Sequence, residues 1–214
     1  MTSQINQQRR IAIFVLVMLV IGVTYAYVQI NIVPVLLIGI PGIFAYLLWY
    51  TTYLRKPTDP AIILPPFLAT VVGFNFHLIE EYFGHYSLAI SRLFNFAWTE
   101  RSFFATVCCL AGGLALITIG LYYQKAVAGF VAALFVATRL SELSLFIFPF
   151  IRPQLHPQTA SPISQTVSGT FVAEMPTYCY YVTGHYYFPG MYTVVFALVP
   201  ALWTLYRMWA FRPK

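Results

Sequence analysis

Charged residues are scarce in this sequence of 214 residues. Asp, Glu, Lys and Arg together make up 8% of the chain, whereas 60% of the residues are hydrophobic and 18% are aromatic. So little polar surface cannot cover a water-soluble globule, and the mean hydropathy of +0.75 is typical of a protein embedded in a lipid bilayer. We therefore predict a single integral membrane domain over residues 1–214, with no length left for a sizeable soluble domain.

Acidic residues and cysteines are few. Six acidic residues face twelve Lys and Arg, which gives a formal net charge of +6. The basic residues occur singly or in pairs beside apolar segments, so we expect them to orient the chain in a membrane and expect no nucleic-acid partner. Cys108 and Cys109 are adjacent and Cys179 is isolated, a spacing that matches no metal-ribbon or redox motif. We interpret all three as small packing residues.

Long apolar segments are abundant. Runs of about 20 apolar residues are sufficient to cross the hydrocarbon layer as a helix. Six segments qualify, at residues 11–30, 34–54, 61–83, 103–123, 127–150 and 190–209. The predicted fold is therefore all-α: a polytopic transmembrane helical bundle of about six spans, with a kink in the second span near Pro41.

Basic residues flank these segments unevenly. In a six-span arrangement eight of them lie on one side of the membrane and three on the other. The larger group is Arg9, Arg10, Arg55, Lys56, Lys125, Arg207, Arg212 and Lys214, and the smaller is Arg92, Arg101 and Arg152. Because basic flanks are retained in the cytoplasm, we predict that both termini are cytoplasmic and that the membrane is a plasma or inner membrane.

The stretch from residue 168 to residue 188 is apolar and aromatic, but it is interrupted by Glu174, Pro176, Gly184 and His185. A seventh crossing here would send the C-terminal basic residues outside. We therefore predict an interfacial or re-entrant segment on the non-cytoplasmic side. Residues 153–168, rich in Pro, Ser, Thr and Gln, are expected to form a polar external loop.

The third apolar segment contains the sequence His77-Leu78-Ile79-Glu80-Glu81. Helical spacings of three and four place its ionisable residues on one helix face, which Gly84 and His85 extend if the helix continues. Burying such a group in hydrocarbon costs at least about 2.5 kcal/mol. These side chains are therefore expected to face protein, water, a cation or a substrate.

Three interpretations of this motif are open. In the first, His77, Glu80 and Glu81 bind a divalent metal ion such as Fe or Zn, because His and Glu ligands on helices form such sites. In the second, His77 and a neighbouring carboxylate donate and accept protons in a dry pocket, where two adjacent carboxylates cannot both ionise cheaply. In the third, Glu80, Glu81 and His85 lie beyond the hydrocarbon, solvated or paired with Arg92.

Further ionisable residues are predicted to approach His77. At a rise of about 1.5 Å per residue, Glu142 on the fifth segment reaches the same depth as His77 on the third. Arg139 is expected to pair with Glu142 and to serve the site only secondarily, while His185 and Glu174 approach from the external side. The predicted catalytic residues are His77, Glu80, Glu81, Glu142 and His185, with Arg139 and Glu174 as additional candidates.

The run Phe76-His77-Leu78-Ile79-Glu80-Glu81, followed downstream by His185, Pro189-Gly190 and Thr193, resembles the HXXEE family of membrane proteins. The resemblance covers the chain from the third segment to the last. It implies that the histidine and the two glutamates act together, and it implies no particular reaction.

A looser similarity, in chemistry alone, is to emopamil-binding-type sterol isomerases, which place His and Glu residues inside a compact helical bundle to move a proton. His77, Glu81 and Glu142 are the residues that would take such roles here. The span count and most of the sequence pattern differ from that family.

The function predicted from these observations is that of an integral membrane enzyme acting on a lipid or isoprenoid-like substrate, by double-bond isomerisation, cyclisation or hydrolysis. The alternative is a transporter or a proton or cation relay that uses the same polar cluster, although the first, second and fourth segments carry few polar residues for a conducting path. A non-catalytic membrane chaperone or scaffold is a third class. The expected partners are membrane lipids or a hydrophobic small molecule.

Overall fold

The computed structural model describes residues 2–30, 32, 34–94, 97–147, 166–167, 170–171 and 188–211. Within these ranges the α-helices are α1 (Thr2–Ile30), α2 (Ile40–Thr51), α3 (Pro60–Phe83), α4 (Tyr86–Phe94), α5 (Glu100–Tyr122), α6 (Ala126–Ile147) and α7 (Val194–Ala210). A π-helical segment, Val35–Gly39, leads into α2, and β1 (Thr166–Val167) pairs with β2 (Thr170–Phe171) in an antiparallel arrangement. Apart from that short pairing, the described fold is helical, and the predicted all-α class is confirmed.

Among the described residues, four helical segments are long and apolar enough to cross a lipid bilayer: Gln4–Ile30, Pro60–Phe83, Glu100–Tyr122 and Ala126–Leu143. Two further apolar helical segments in the described chain are shorter, Val35–Thr51 and Val194–Ala210. Large apolar side chains such as Val28, Phe83 and Leu116 are more than two-thirds exposed, at 72%, 75% and 71%. These features are compatible with an integral membrane protein, in which such side chains contact lipid.

The predicted kink near Pro41 takes the form of the π-helical segment Val35–Gly39. Proline has no N–H to donate to the carbonyl of the residue four positions earlier, which here is Leu37. That carbonyl oxygen instead lies 3.2 Å from the hydroxyl of Ser141 on α6, which shares its one proton with the carbonyl of Thr138 at 2.8 Å. The irregular turn therefore contacts α6 directly beside Glu142.

Helices α3 and α7 pack with their backbones in close contact. Gly73 lies at the crossing, where an added Cβ atom would overlap the backbone carbonyl of Phe196. About one turn closer to the N-terminus of α3, the buried hydroxyls of Thr70 and Thr204 lie 3.4 Å apart in the same interface. This close approach brings the first residues of α7 against the C-terminal half of α3, which carries His77.

Replacing Gly73 with alanine is expected to force α3 and α7 apart, because the new methyl group meets backbone that cannot rotate away. Overpacking of this kind costs about 1–3 kcal/mol. The thermal unfolding midpoint in detergent micelles, followed by tryptophan fluorescence, should fall accordingly. Gly112→Ala on α5 is the matched control, since nothing lies within 4 Å of the added atom. Equal midpoints for the two variants would contradict the close packing.

Candidate functional site

His77 is fully buried, with 0% of its surface exposed. Its Nε2 atom lies 3.2 Å from Oε1 of Glu81, one turn further along α3, and 3.8 Å from Oε2 of Glu142 on α6. Glu81 is itself only 3% exposed, so the interpretation that places this carboxylate in solvent is wrong. The structure thus brings an imidazole and two carboxylates together inside the helical bundle.

Arg139 provides the positive charge next to these carboxylates. Its Nη1 atom lies 2.6 Å from Oε2 of Glu142, one turn along the same helix, and the residue is 5% exposed. The guanidinium carbon also lies 3.9 Å from the ring centroid of Phe74 on α3, a distance suited to a cation–π contact. Arg139 therefore joins α6 to α3 and belongs to the buried cluster as well as to the predicted ion pair.

Glu80 and Glu81, although adjacent, face different neighbours. The carboxylate of Glu80 accepts hydrogen bonds from the backbone N–H of Thr193 at 2.8 Å, from the Thr193 hydroxyl at 2.6 Å and from the backbone N–H of Tyr192 at 3.3 Å. These donors lie at the N-terminus of α7, where backbone N–H groups lack helical partners and favour negative charge. Glu80 therefore caps α7 and ties it to α3.

Thr193 connects Glu80 to the buried histidine. The Thr193 hydroxyl lies 3.3 Å from Nδ1 of His77 and has one proton, which it donates to Glu80 at 2.6 Å. The contact with the imidazole must then run in the other direction, with Nδ1–H donating to the Thr193 oxygen. The hydrogen-bond pattern thus assigns a proton to Nδ1 and turns Nε2 toward Glu81 and Glu142.

A neutral imidazole with its proton on Nδ1 would present a lone pair from Nε2 to the Glu81 carboxylate, which would be repulsive. A hydrogen bond between the two groups would need one additional proton, either on Nε2 or on a carboxyl oxygen. With that proton, the two carboxylates, the Arg139 guanidinium and His77 carry no net charge together. A neutral cluster is the arrangement that costs least to bury.

Gly190 closes the site from the turn that precedes α7. Its backbone adopts φ of +92°, which favours glycine, and an added Cβ atom would lie 2.5 Å from Cε1 of His77 and 2.9 Å from Cγ of Glu81. The backbone at Gly190 therefore lies directly against the imidazole.

Tyr86 on α4 is buried near the same charges. Its burial, and to a smaller extent the negative charge of Glu81, raises the pKa of its phenol well above the usual value.

The expected metal site has no support in the described residues. They contain no group of three or more His, Cys, Asp or Glu side chains placed to hold a metal ion. Glu80, one of the three predicted ligands, bonds the N-terminus of α7, while His77 and Glu81 lie beside the guanidinium-paired Glu142. The arrangement that the structure shows suits proton transfer.

Other predicted site residues lie elsewhere. Helix α3 ends at Phe83, so His85 does not extend its polar face. Instead Nδ1 of His85 lies 2.6 Å from Oε1 of Glu100 at the start of α5. His185 and Glu174 lie outside the described residues, as do the predicted external loop at 153–168 and the predicted interfacial segment at 168–188 over most of their lengths.

An open groove of about 400 Å³ runs along the outer surface of α3 and α7 beside this cluster. It is lined by Phe76, Ile79, Glu80, Thr193 and Phe196. Its walls are almost entirely apolar, because Glu80 and Thr193 line it mainly through their carbon atoms. The groove therefore places an outward-facing hydrophobic surface beside the hydrogen-bonded chain that leads to His77.

Two residues of this site, Thr193 and Gly190, were absent from the predicted catalytic set. Pro189-Gly190 was interpretable from sequence only as a break before the last span, and a single Thr near the start of an apolar helix gives no chemical signal. Both residues lie in the part of the chain that resembles the HXXEE family, and this resemblance was the one indication in the sequence that they contribute to the site.

Comparisons of the chain with known protein families, curated proteins and solved structures find no match. The fold and the site define a class of protein. It is a helical protein compatible with a membrane, and it has a buried cluster of ionisable side chains beside an apolar groove. The resemblance to the HXXEE family stays a prediction.

Proposed function

We propose that this protein is an integral membrane enzyme that donates protons to, and accepts protons from, a lipid or isoprenoid-like substrate. His77, Glu81 and Glu142 are the proton-carrying groups. The observation that carries the proposal is the buried cluster of His77, Glu81 and Glu142, which is linked through Thr193 to Glu80 beside a groove with apolar walls. Positioned acids and bases of this kind typically accelerate proton transfer about 10²–10⁴-fold.

A six-span topology with cytoplasmic termini is part of this proposal. The two shorter apolar segments reach the lower limit of the roughly 17–25 residues that cross a bilayer. The Gln8 side-chain amide donates to the carbonyl of Leu54 at 3.0 Å, and the Trp49 indole donates to that of Ala126 at 2.8 Å. The start of α1, the α2–α3 turn and the α5–α6 turn therefore lie at the same end.

The basic residues agree with this orientation. Arg9, Arg10, Arg55, Lys56 and Lys125 lie in or beside the segments that these hydrogen bonds bring to one end. An excess of Lys and Arg at one end is the pattern expected of the cytoplasmic face of a plasma or inner membrane. The His77 cluster, near the opposite end of α3, would then lie in the outer half of the bilayer.

The substrate class follows from the groove. A water-soluble substrate would gain nothing from walls formed by Phe76, Ile79 and Phe196, whereas a hydrocarbon chain that diffuses in the bilayer could enter from the side. Protonation and deprotonation of such a chain would shift a double bond or close a ring. Neither reaction needs a redox cofactor.

Replacing His77 with glutamine should remove this chemistry while preserving most of the side-chain volume. Purified protein would be reconstituted in D2O with vesicles of total membrane lipid extract, and the lipids analysed by mass spectrometry for deuterium bound to carbon. Wild-type protein should label a lipid species, and His77→Gln should label it at least about 100-fold more slowly. His85→Gln is the matched control, since that histidine pairs with Glu100. Labelling at the wild-type rate in His77→Gln, or no labelling by wild type, would contradict the proposal.

A transporter or a proton or cation relay is the second candidate. One observation favours it: the Thr70–Thr204 hydroxyl pair continues the polar character of the α3–α7 interface toward the other end. Sustained proton flux in proteoliposomes loaded with a pH-sensitive dye would support transport. Carbon-bound deuterium without such flux would support the enzyme.

A further inference from the structure

The buried cluster has no direct access to the groove. His77 and Glu81 are 0% and 3% exposed, and neither lines the groove, whereas Glu80 and Thr193 do. A proton held between Nε2 of His77 and the carboxylates must therefore pass other groups to reach a molecule in the groove. The described contacts provide one continuous route.

We propose that Thr193 relays protons between His77 and Glu80, and that Glu80 is the acid and base that meets the substrate. This inference rests on the proposed function and assigns different roles to the two adjacent glutamates. Glu81, with Glu142 and Arg139, holds the proton inside the bundle. Glu80 delivers it to the groove.

The atoms of the relay are in sequence and within reach. Oε1 of Glu81 lies 3.2 Å from Nε2 of His77, Nδ1 lies 3.3 Å from Oγ1 of Thr193, and that oxygen lies 2.6 Å from Oε2 of Glu80. These are hydrogen-bond distances or slightly longer, so each transfer needs only a small approach of the heavy atoms.

The proton count balances along this route. A proton leaves the Glu81 carboxyl group and bonds to Nε2, while the Nδ1–H bond breaks and that proton passes to the Thr193 oxygen. The original hydroxyl proton of Thr193 moves to Oε2 of Glu80. His77 and Thr193 end with as many protons as they began with, Glu81 has lost one, and Glu80 has gained one. No electron is transferred and no co-reactant is needed.

The backbone holds the relay in position. The N–H groups of Tyr192 and Thr193 fix the Glu80 carboxylate at the start of α7. Gly190 lies against the imidazole from the other side. Thr193 contributes both the hydroxyl that would relay the proton and a backbone N–H that bonds to Glu80. The hydroxyl therefore cannot move away from Glu80 unless the start of α7 moves as well.

The test compares Thr193→Val, which keeps the shape but has no hydroxyl, with Thr193→Ser, which keeps the hydroxyl. In the D2O assay Thr193→Val should label lipid at least about 100-fold more slowly than wild type, and Thr193→Ser should restore most of the rate. Nitrogen NMR of labelled histidine provides a second readout, because loss of the hydroxyl should change the tautomer signal of His77 and serine should restore it.

Glu80→Gln keeps the relay falsifiable if the valine variant does not fold. With its oxygen in the place of Oε2, glutamine still accepts from Thr193 and loses only the bond from Tyr192, but the amide cannot take up and release the relayed proton. We expect labelling to fall at least about 100-fold with the His77 tautomer signal retained.

The relay and the proposed function fail in different ways. Labelling at the wild-type rate in Thr193→Val or in Glu80→Gln would overturn the relay. If His77→Gln were inactive in the same experiment, the enzyme proposal would still stand. An equal loss in Thr193→Ser and Thr193→Val would also overturn the relay, because shape alone would then matter. Wild-type labelling in His77→Gln would overturn both.

Discussion

Replacing Arg139 with methionine is expected to lower the free energy of unfolding by about 3–5 kcal/mol, as removal of one partner from a buried ion pair does. Methionine fills similar space but leaves the carboxylate of Glu142 without the guanidinium that lies 2.6 Å away. The stacking of Arg139 on Phe74 is lost as well. Unfolding by SDS titration, followed by tryptophan fluorescence, would measure the change.

Two comparisons test this explanation. Replacing Arg139 and Glu142 together by methionine should recover much of the lost stability, because no unpaired charge then remains from the pair. Arg10→Met changes an exposed basic residue and should leave stability nearly unchanged. A loss below about 1 kcal/mol in Arg139→Met would show that this arginine is not an essential counter-charge of the cluster.

Gly190→Ala is expected to reduce the labelling rate by about 100-fold or more, since a displacement near 1 Å at a reacting group has effects of that size. The methyl group would lie 2.5 Å from Cε1 of His77, so the ring or the turn must move. The backbone φ of +92° adds strain that alanine tolerates poorly. Both effects should turn the imidazole away from Thr193.

The NMR signal of His77 distinguishes loss of geometry from loss of fold in this variant. A changed tautomer signal at an unchanged thermal midpoint would place the defect at the imidazole. Gly113→Ala on α5 is the control, because its added atom has no neighbour within 4 Å. Wild-type labelling in Gly190→Ala would show that the turn does not hold the ring.

Helix positions were predictable from sequence because they depend on local composition. The predicted segments at 61–83 and 103–123 begin and end within three residues of α3 and α5. Helix α4 was not predicted, since its nine residues (Tyr86–Phe94) are too few to stand out as an apolar run. The number of crossings depends on the membrane itself and stays a prediction.

The depth of the site was predictable, but its contacts were not. A fixed rise per residue places His77 and Glu142 at one level, yet whether α3 and α6 touch there depends on packing between distant segments. Glu80 and Glu81 have different partners because of where α7 begins, and the sequence marks that point only by Pro189-Gly190. Thr193 acquires its role solely from that packing.

The contact between the Ser141 hydroxyl and the Leu37 carbonyl affects the orientation of α6. Consecutive helical residues point about 100° apart, so the contact of Ser141 with the π-helical turn constrains the azimuth of Glu142, the next residue. The carbonyl needs a new donor because Pro41 lacks an N–H group. A proline about a hundred residues away in sequence thus helps to orient a carboxylate toward the imidazole, and the second helix contributes to the geometry of the site.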